Sequence, residues 1–351
     1  MKRITVMGGG GTGIMMAADL TAKGHQVTLF EVEEHAGRIR EIQERGYVEL
    51  VGNATTGQIR IGKITTDIAE AMEDPEYILV GAMAQRQEEF MDLMLPYLKD
   101  GQVICFSAGN CASIILKKKI KDKKVLVGEM QGNIYPCRML PDGRVISAFP
   151  YKEKGMAAFP ASDNGRYITA MAQVYPCHAV KNVFEATLNS PNISIHLAGS
   201  LMGTAKLETM EDFRLYRDGI SPSVVKLIGK VEDEKTKVME RMGYEAGRAV
   251  GQMEALLEYE DHPELDIFRE LEGPTSVHHR YITEDAFAGN SLLLSLAKQF
   301  GIDMPICEGL IAVASALNDT DFYHMGRTTA YFGLSGMNPS EINRYLETGE
   351  K

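Results

Sequence analysis

The sequence predicts an α/β N-terminal domain with a doubly wound, mostly parallel sheet, followed by an all-α C-terminal domain. Three observations predict it. A strand-like run, a glycine cluster and a helical run open the chain in immediate succession; strands and helices alternate for about the first 150 residues; and from about Leu188 the apolar pattern is helical. At 351 residues, 44% hydrophobic and 24% charged, the chain has the length and composition of about two globular domains. The boundary is expected between residues 182 and 183.

The first elements are the most legible. "RITVM" is β-rich, "GGGGTG" follows at once, and "IMMAADLTAKG" continues with helical periodicity to Gly24. Read as G-x-G-x-x-G, the motif uses Gly8 for a tight turn, Gly10 for close approach of a pyrophosphate and Gly13 for packing of helix on strand. Gly11 and Thr12 complete the loop, and the helix start offers its N–H groups to phosphates. "QVTLFE" then supplies a second strand ending in Glu31, 18 residues beyond Gly13, where an acid hydrogen-bonds adenosine ribose hydroxyls. A Rossmann dinucleotide-binding domain over residues 1–182 is the reading. A carboxylate at that position repels a ribose 2′-phosphate, so NAD is the expected cofactor; Arg38 and Arg40 leave NADP open.

Beyond this point "YVELV" and "QIRIGKITTD" read as strands, "DIAEAMEDP" as a short helix, "EYILVGAMA" as a strand and "RQEEFMDLMLPYL" as a helix. "QVICFSAGN" and "KVLVGEM" read as further strands. The loops "GAMAQ" and "FSAGN" are expected at strand carboxyl ends, beside the nicotinamide half of the cofactor. "PDGRVISAF" and "KGMAAFPAS" form a β-rich coda, and "GRYITAMAQVY" a helix. The clearest later helices are "SPSVVKLIGKVEDEKTKVMERMG", "AGRAVGQMEALLEYE", "SLLLSLAKQFG" and "EGLIAVASALN", with "EYEDHPELDIFRELEGPTS" expected as a long exposed connection. Twenty methionines and no tryptophan read as an adaptable core.

Composition excludes several classes of function. A net charge of −11, from 37 basic and 48 acidic residues, argues against a nucleic-acid partner. Five scattered cysteines (Cys105, Cys111, Cys137, Cys177 and Cys307) show no C-x-x-C pair, so neither a disulfide framework nor a metal site is indicated, and a reduced cytoplasm is expected. No apolar run approaches the length of a membrane span, and the start of the chain is too glycine-rich for a signal peptide.

In "LNSPNISIHLAGSLMG" a helix is expected to begin at Pro191 or Asn192, capped by Ser190 or Asn192, with His196 about one turn in. A lone histidine among apolar neighbours is more often structural than catalytic, so the residues alone do not assign it. "HHRYITEDA" places Arg280 and Asp285 five apart, a spacing that does not share a helix face. If "RYI" is extended and a helix begins at Thr283 or Glu284, Arg280 projects from a loop and Asp285 sits in the first turn.

The order of "LNSPNISIH", "LYRDGISPSVVKLIGKVEDEK", "HHRYITEDAFAGNSLLLSLAKQFGIDMPICEGLIAVASALNDTDF" and "GRTTAYFGL" resembles the C-terminal domain of the NAD/NADP octopine/nopaline dehydrogenases, the opine dehydrogenase family. "MGGGGTG" and "FSAGN" resemble that family's cofactor domain. The resemblance implies that residues 183–351 are a helical substrate domain. It further implies reductive condensation of an α-keto acid with an amino acid, using NADH or NADPH. Carried over by position, it makes His196 the acid/base, Asp285 the residue that orients it and Arg280 the partner of the keto-acid carboxylate. These residue types suit the chemistry: imidazole titrates near neutrality, a buried carboxylate sets its tautomer, and a guanidinium grips a carboxylate bidentately. His278 and His279 read as an exposed loop, and Arg327 has no assigned role. Where relatives show Pro-Ala and then a histidine, this chain has "GAMAQRQ" from Gly81 to Gln87, which leaves the nicotinamide-side contacts unassigned. The alternatives are a 2-keto-acid or ketopantoate-like reductase needing no amine, and an NAD(H)-binding sensor without turnover. A homodimer is the expected assembly.

Overall fold

The computed structural model describes residues 1–120 and 122–351, and the chain divides into two compact units. One comprises residues 1–186 with 346–349, the other residues 187–345 with 350–351.

The first unit is built on an eight-stranded sheet. Its strand order is Cys177–Ala179, Lys154–Ala158, Leu126–Met130, Val103–Phe106, Tyr77–Val80, Arg3–Met7, Gln26–Phe30 and Lys63–Thr65. Six strands are parallel; Lys154–Ala158 pairs antiparallel with Leu126–Met130, and Cys177–Ala179 runs alongside it. Tyr77–Val80 and Val103–Phe106 are buried at every position, which is why they read as continuous apolar runs without alternation. From Arg3–Met7 the chain winds outward in both directions, so the order reverses at this strand. In open α/β sheets such a switch point marks the ligand crevice at the strand carboxyl ends.

Not every expected strand joins this sheet. Val48–Gly52 and Gly57–Ile59, within "YVELV" and "QIRIGKITTD", form a hairpin that pairs instead with Val145–Ser147 and, beyond it, Cys137–Met139. Apolar periodicity identifies a strand but says nothing about its partner, and only Lys63–Thr65 from that stretch reaches the main sheet. The small sheet is fastened through buried Asp19 on the helix Gly11–Ala22. Asp19 accepts hydrogen bonds from the Tyr135 hydroxyl at 2.7 Å, the Thr55 hydroxyl at 2.5 Å and Lys23 at 2.8 Å. Buried charge is tolerated when paired in this way.

The second unit is helical. Pro222–Met242 starts where Ser221 accepts the Val224 N–H with Pro222 at the first position, and ends at Gly243 with φ +70°. The helix Pro305–Leu317 is capped from outside: the Glu234 carboxylate accepts the N–H groups of Ile306 at 3.0 Å and Cys307 at 2.9 Å. Two sequence expectations change here. "AGRAVGQMEALLEYE" is helical only over Val250–Ala255, and "EYEDHPELDIFRELEGPTS" is not uniformly exposed. Phe268, Arg269 and Leu271 are buried, and the Arg269 guanidinium donates to the carbonyls of Ala255, Leu256 and His262, tying the end of the helix Val250–Ala255 to the turn that follows it. Among the described residues no helix is long and apolar enough to cross a membrane.

Candidate active site

In the first unit the glycine cluster lies at the carboxyl end of the central strand. The Gly8 N–H donates to the Phe30 carbonyl at 2.9 Å, and the Gly81 N–H donates to the Met7 carbonyl at 2.8 Å. Gly8 has φ +116°, and a Cβ at Gly13 would overlap the Gly8 carbonyl oxygen, so neither position accepts a side chain. A Cβ at Gly10 would meet nothing within 4 Å. The loop is thus closed against protein at Gly8 and Gly13 and open at Gly10. The helix Gly11–Ala22 starts behind it with no side-chain cap, leaving the first-turn N–H groups at Gly11, Thr12 and Gly13 facing the opening. These residues fit a dinucleotide pyrophosphate.

Glu31 stands beside this loop, 4% exposed. Its Oε2 accepts the Gly9 N–H at 2.8 Å and its Oε1 accepts the Val32 N–H at 2.9 Å. Arg86, in the 3-10 turn Ala84–Arg86 after the neighbouring strand, places Nη2 3.2 Å from Oε1. Sequence reasoning missed Arg86, because 55 residues separate it from its partner. Arg40, one of the two arginines that left NADP open, is paired with Glu33. In the "FSAGN" loop Ala108, Asn110 and Cys111 all have positive φ, which costs a non-glycine residue roughly 1 kcal/mol each. Buried Glu129 holds that loop, accepting the Cys111 N–H at 2.8 Å and the Ser113 hydroxyl.

In the second unit His196 lies on the helix Asn192–Met202, buried from Ile193 to Leu201. Pro191 precedes that helix without a side-chain cap, so neither Ser190 nor Asn192 plays the expected part. Buried Glu232 anchors the helix instead, accepting the Ser194 hydroxyl at 3.1 Å. The His196 Nδ1 is 2.7 Å from the Asp285 Oδ2, its Nε2 is 3.1 Å from the Tyr216 hydroxyl, and its ring stacks on Tyr281 at 3.6 Å. Tyr216 belongs to a π-helical turn, Leu215–Gly219, and stacks on Phe268 at 4.1 Å. That turn can approach because Gly199 has no side chain: a Cβ there would crowd Leu215 at 3.1 Å and Ile220 at 3.3 Å.

Asp285 ends the helix Arg280–Asp285, which corrects the expected geometry. "RYI" is helical, not extended, because the His279 Nδ1 accepts the Tyr281 N–H at 3.3 Å and starts the helix three or four residues early. Five positions on one helix leave Arg280 and Asp285 on different faces, so only Asp285 reaches His196 within hydrogen-bond distance. Arg280 is a quarter exposed, 3.7 Å from Glu284 and over the ring of Tyr281 at 5.1 Å. His278 is exposed as expected, whereas His279 is half-buried and caps. Arg327 is buried, its N–H donating to the Phe287 carbonyl at 2.9 Å. Burial pushes the Asp285 carboxyl up to about 8, and the positive charge of Arg280 pulls the other way. A buried carboxyl and imidazole at 2.7 Å hold protons as a unit, and with Nδ1 on the carboxyl, Nε2 faces the Tyr216 hydroxyl.

Residues 179–318 match the model described as NAD/NADP octopine/nopaline dehydrogenase, alpha-helical domain. An opine dehydrogenase of Arthrobacter sp. (strain 1C) is 28% identical over 358 residues, covering 99% of each chain. The chain is thus similar to opine dehydrogenases over its whole length and carries a match to their helical domain over residues 179–318. A second relative, the vitopine synthase of Allorhizobium ampelinum, is 22% identical over 97% of this chain and 98% of its own. The fold agrees: an octopine dehydrogenase solved with NADH and pyruvate superposes with a TM-score of 0.69 at 16% identity, covering 100% of this chain and 99% of that one. Residues 4–133 match the ketopantoate reductase model. With both halves of the chain matched to NAD(P)-dependent dehydrogenase and reductase domains, the chain is an NAD(P)-dependent oxidoreductase. His196, Arg280 and Asp285 lie inside the octopine/nopaline dehydrogenase match, and Gly8 to Gly13 and Glu31 inside the other.

Proposed function

We propose that this chain condenses an α-keto acid with the amino group of an amino acid and reduces the resulting C=N bond, with His196 as acid/base, Asp285 orienting it and Arg280 binding the keto-acid carboxylate. The observation that carries the reading is the buried His196–Asp285 pair at 2.7 Å, whose other imidazole nitrogen lies 3.1 Å from the Tyr216 hydroxyl. Attack of the amine on the keto carbon yields a carbinolamine, and loss of its hydroxyl as water needs a proton at oxygen. The His196 Nε2 supplies that proton and the Asp285 carboxylate stabilises the cationic ring in between. Stacking on Tyr281 fixes the ring plane, so Nε2 keeps its direction as the charge changes. Bound nicotinamide supplies the hydride to the C=N carbon. Arg280 meets Glu284 only at 3.7 Å, too long for a hydrogen bond, so a substrate carboxylate offering two oxygens in one plane competes well for its guanidinium. On the coenzyme side, Gly8, Gly10, Gly11, Thr12 and Gly13 hold the pyrophosphate and Glu31 the adenosine ribose, which favours NADH. Relatives have been solved with NADH and with NADP+.

The test is a substrate requirement. NADH oxidation should need both a keto acid such as pyruvate and an amine donor from a pool of amino acids, and mass spectrometry should find the N-linked product. The match of residues 4–133 to ketopantoate reductase favours a second reading, reduction of a keto acid alone. Full turnover with no amine, giving a hydroxy acid, establishes that reading and removes the first.

A further inference from the structure

We propose that Arg86 sets coenzyme selectivity, its guanidinium receiving the ribose 2′-phosphate of NADPH beside Glu31, so that this chain accepts both coenzymes. The inference rests on the reading that Glu31 lies at the adenosine ribose. Glu31 by itself would exclude a 2′-phosphate through charge repulsion, and the arginines that follow it in sequence do not offset this: Arg40 is taken by Glu33, and Arg38 is exposed with no anchoring contact among the described residues. Arg86 is anchored where the others are not. Its Nη2 lies 3.2 Å from Glu31, its Nε 2.9 Å from Glu89, and its plane over Phe90 at 5.0 Å, which fixes the guanidinium at the mouth of the glycine loop. Among the described residues Nη1 has no hydrogen bond to protein, and the side chain is 22% exposed, so its free edge is presented to solvent at the ribose position.

Both Glu31 oxygens accept backbone N–H groups from Gly9 and Val32 regardless of Arg86. The acid is therefore held independently, and Arg86 serves to offset its charge. A ribose hydroxyl pair can still donate to Glu31, while a 2′-phosphate gains charge-assisted bonds from Arg86 that exchange with those to exposed Glu89. One cation and one anion side by side make a site that tolerates either coenzyme.

Direct binding tests this without catalysis. Fluorescence titration of the full chain should show Arg86→Ala weakening NADPH about tenfold, a usual scale for losing a charge-assisted bond, and NADH less than twofold. Arg86→Lys, which keeps the charge, should recover part of the NADPH affinity, and Arg38→Ala should change neither. An equal loss for both coenzymes would mean that Arg86 supports the adenine or the loop, and the inference fails; no change for either is also fatal to it. Neither outcome touches the ribose assignment, whose own failure shows differently: Glu31→Ala would leave the NADH-to-NADPH ratio unmoved.

Discussion

The coenzyme loop and the histidine cluster are two sites built by opposite means. Gly8 to Gly13 are shaped by backbone, with a positive φ, a carbonyl too close for any Cβ and a helix start without a cap, and the Glu31 carboxylate is held beside them by the Gly9 and Val32 N–H groups, all within one strand, loop, helix and strand. His196, Tyr216, Phe268, Tyr281 and Asp285 work through side chains brought from a buried helix, a π-helical turn, a short helix and a capped helix across some 90 residues. A backbone site tolerates no side chain at Gly8 or Gly13 but is indifferent to much around them. A side-chain site can lose one member and keep its fold, because the supporting helices are held by other contacts, such as Glu232 on Ser194. The lesson is that binding and chemistry should be separable by mutation in this chain.

The largest expected effect is the one that would break the comparison outright. His196→Ala should lower kcat by roughly a hundredfold or more while leaving NADH affinity within twofold, whereas Gly13→Ala should lose NADH binding and lower the unfolding temperature. Stopped turnover with normal coenzyme titration marks the two sites as independent; a His196→Ala enzyme of near-native kcat returns that histidine to a structural role.

Next in size is the pH dependence of the buried pair. With the carboxyl pushed up to about 8, the pair keeps its proton below that pH and loses it above, so the reductive direction should fall as pH rises through about 8 and the oxidative direction should gain. Asp285→Asn should abolish that limb and lower kcat about tenfold to a hundredfold. The stability sign follows from the same shift. A carboxyl whose folded value is raised contributes stability that is complete at acid pH, below its ordinary value, and is lost as pH rises through about 8. Asparagine carries no charge to bury, so calorimetry at pH 9 should find Asp285→Asn unfolding at a higher temperature than the native chain, with the order reversed or equal at pH 5.

The smallest effect sharpens the picture inside the side-chain site. Arg280→Lys keeps the charge and loses the planar fork, so KM for the keto acid should rise about tenfold with KM for the amino acid little changed. Equal changes in both, or in neither, would place Arg280 in its intrahelical pair with Glu284 and nowhere else.

The sequence by itself determined the main parallel strands of the first unit, the glycine loop, Glu31 just after the second strand and the helical character of the second unit, while the helices Gly37–Arg45 and Ala112–Lys119 and the strands Cys137–Met139 and Cys177–Ala179 were not read from it. The former are legible because local rules govern them: only glycine takes the backbone of Gly8 or the packing of Gly13, and apolar periodicity reports which face of an element is covered. His196, Arg280 and Asp285 were singled out by residue type and by resemblance, but their geometry was not readable, and the extended "RYI" was mistaken because a histidine cap, His279, is not a common helix starter. Only the tertiary structure decided which strands pair with Val145–Ser147, which tyrosine meets the His196 Nε2, that Arg86 sits on Glu31 and that Arg269 is buried inside an acidic stretch. Each of these is a contact between segments whose separation in sequence carries no period and no motif. Their partners are chosen by packing and by the need to pair buried charge, and neither quantity exists until the chain has folded.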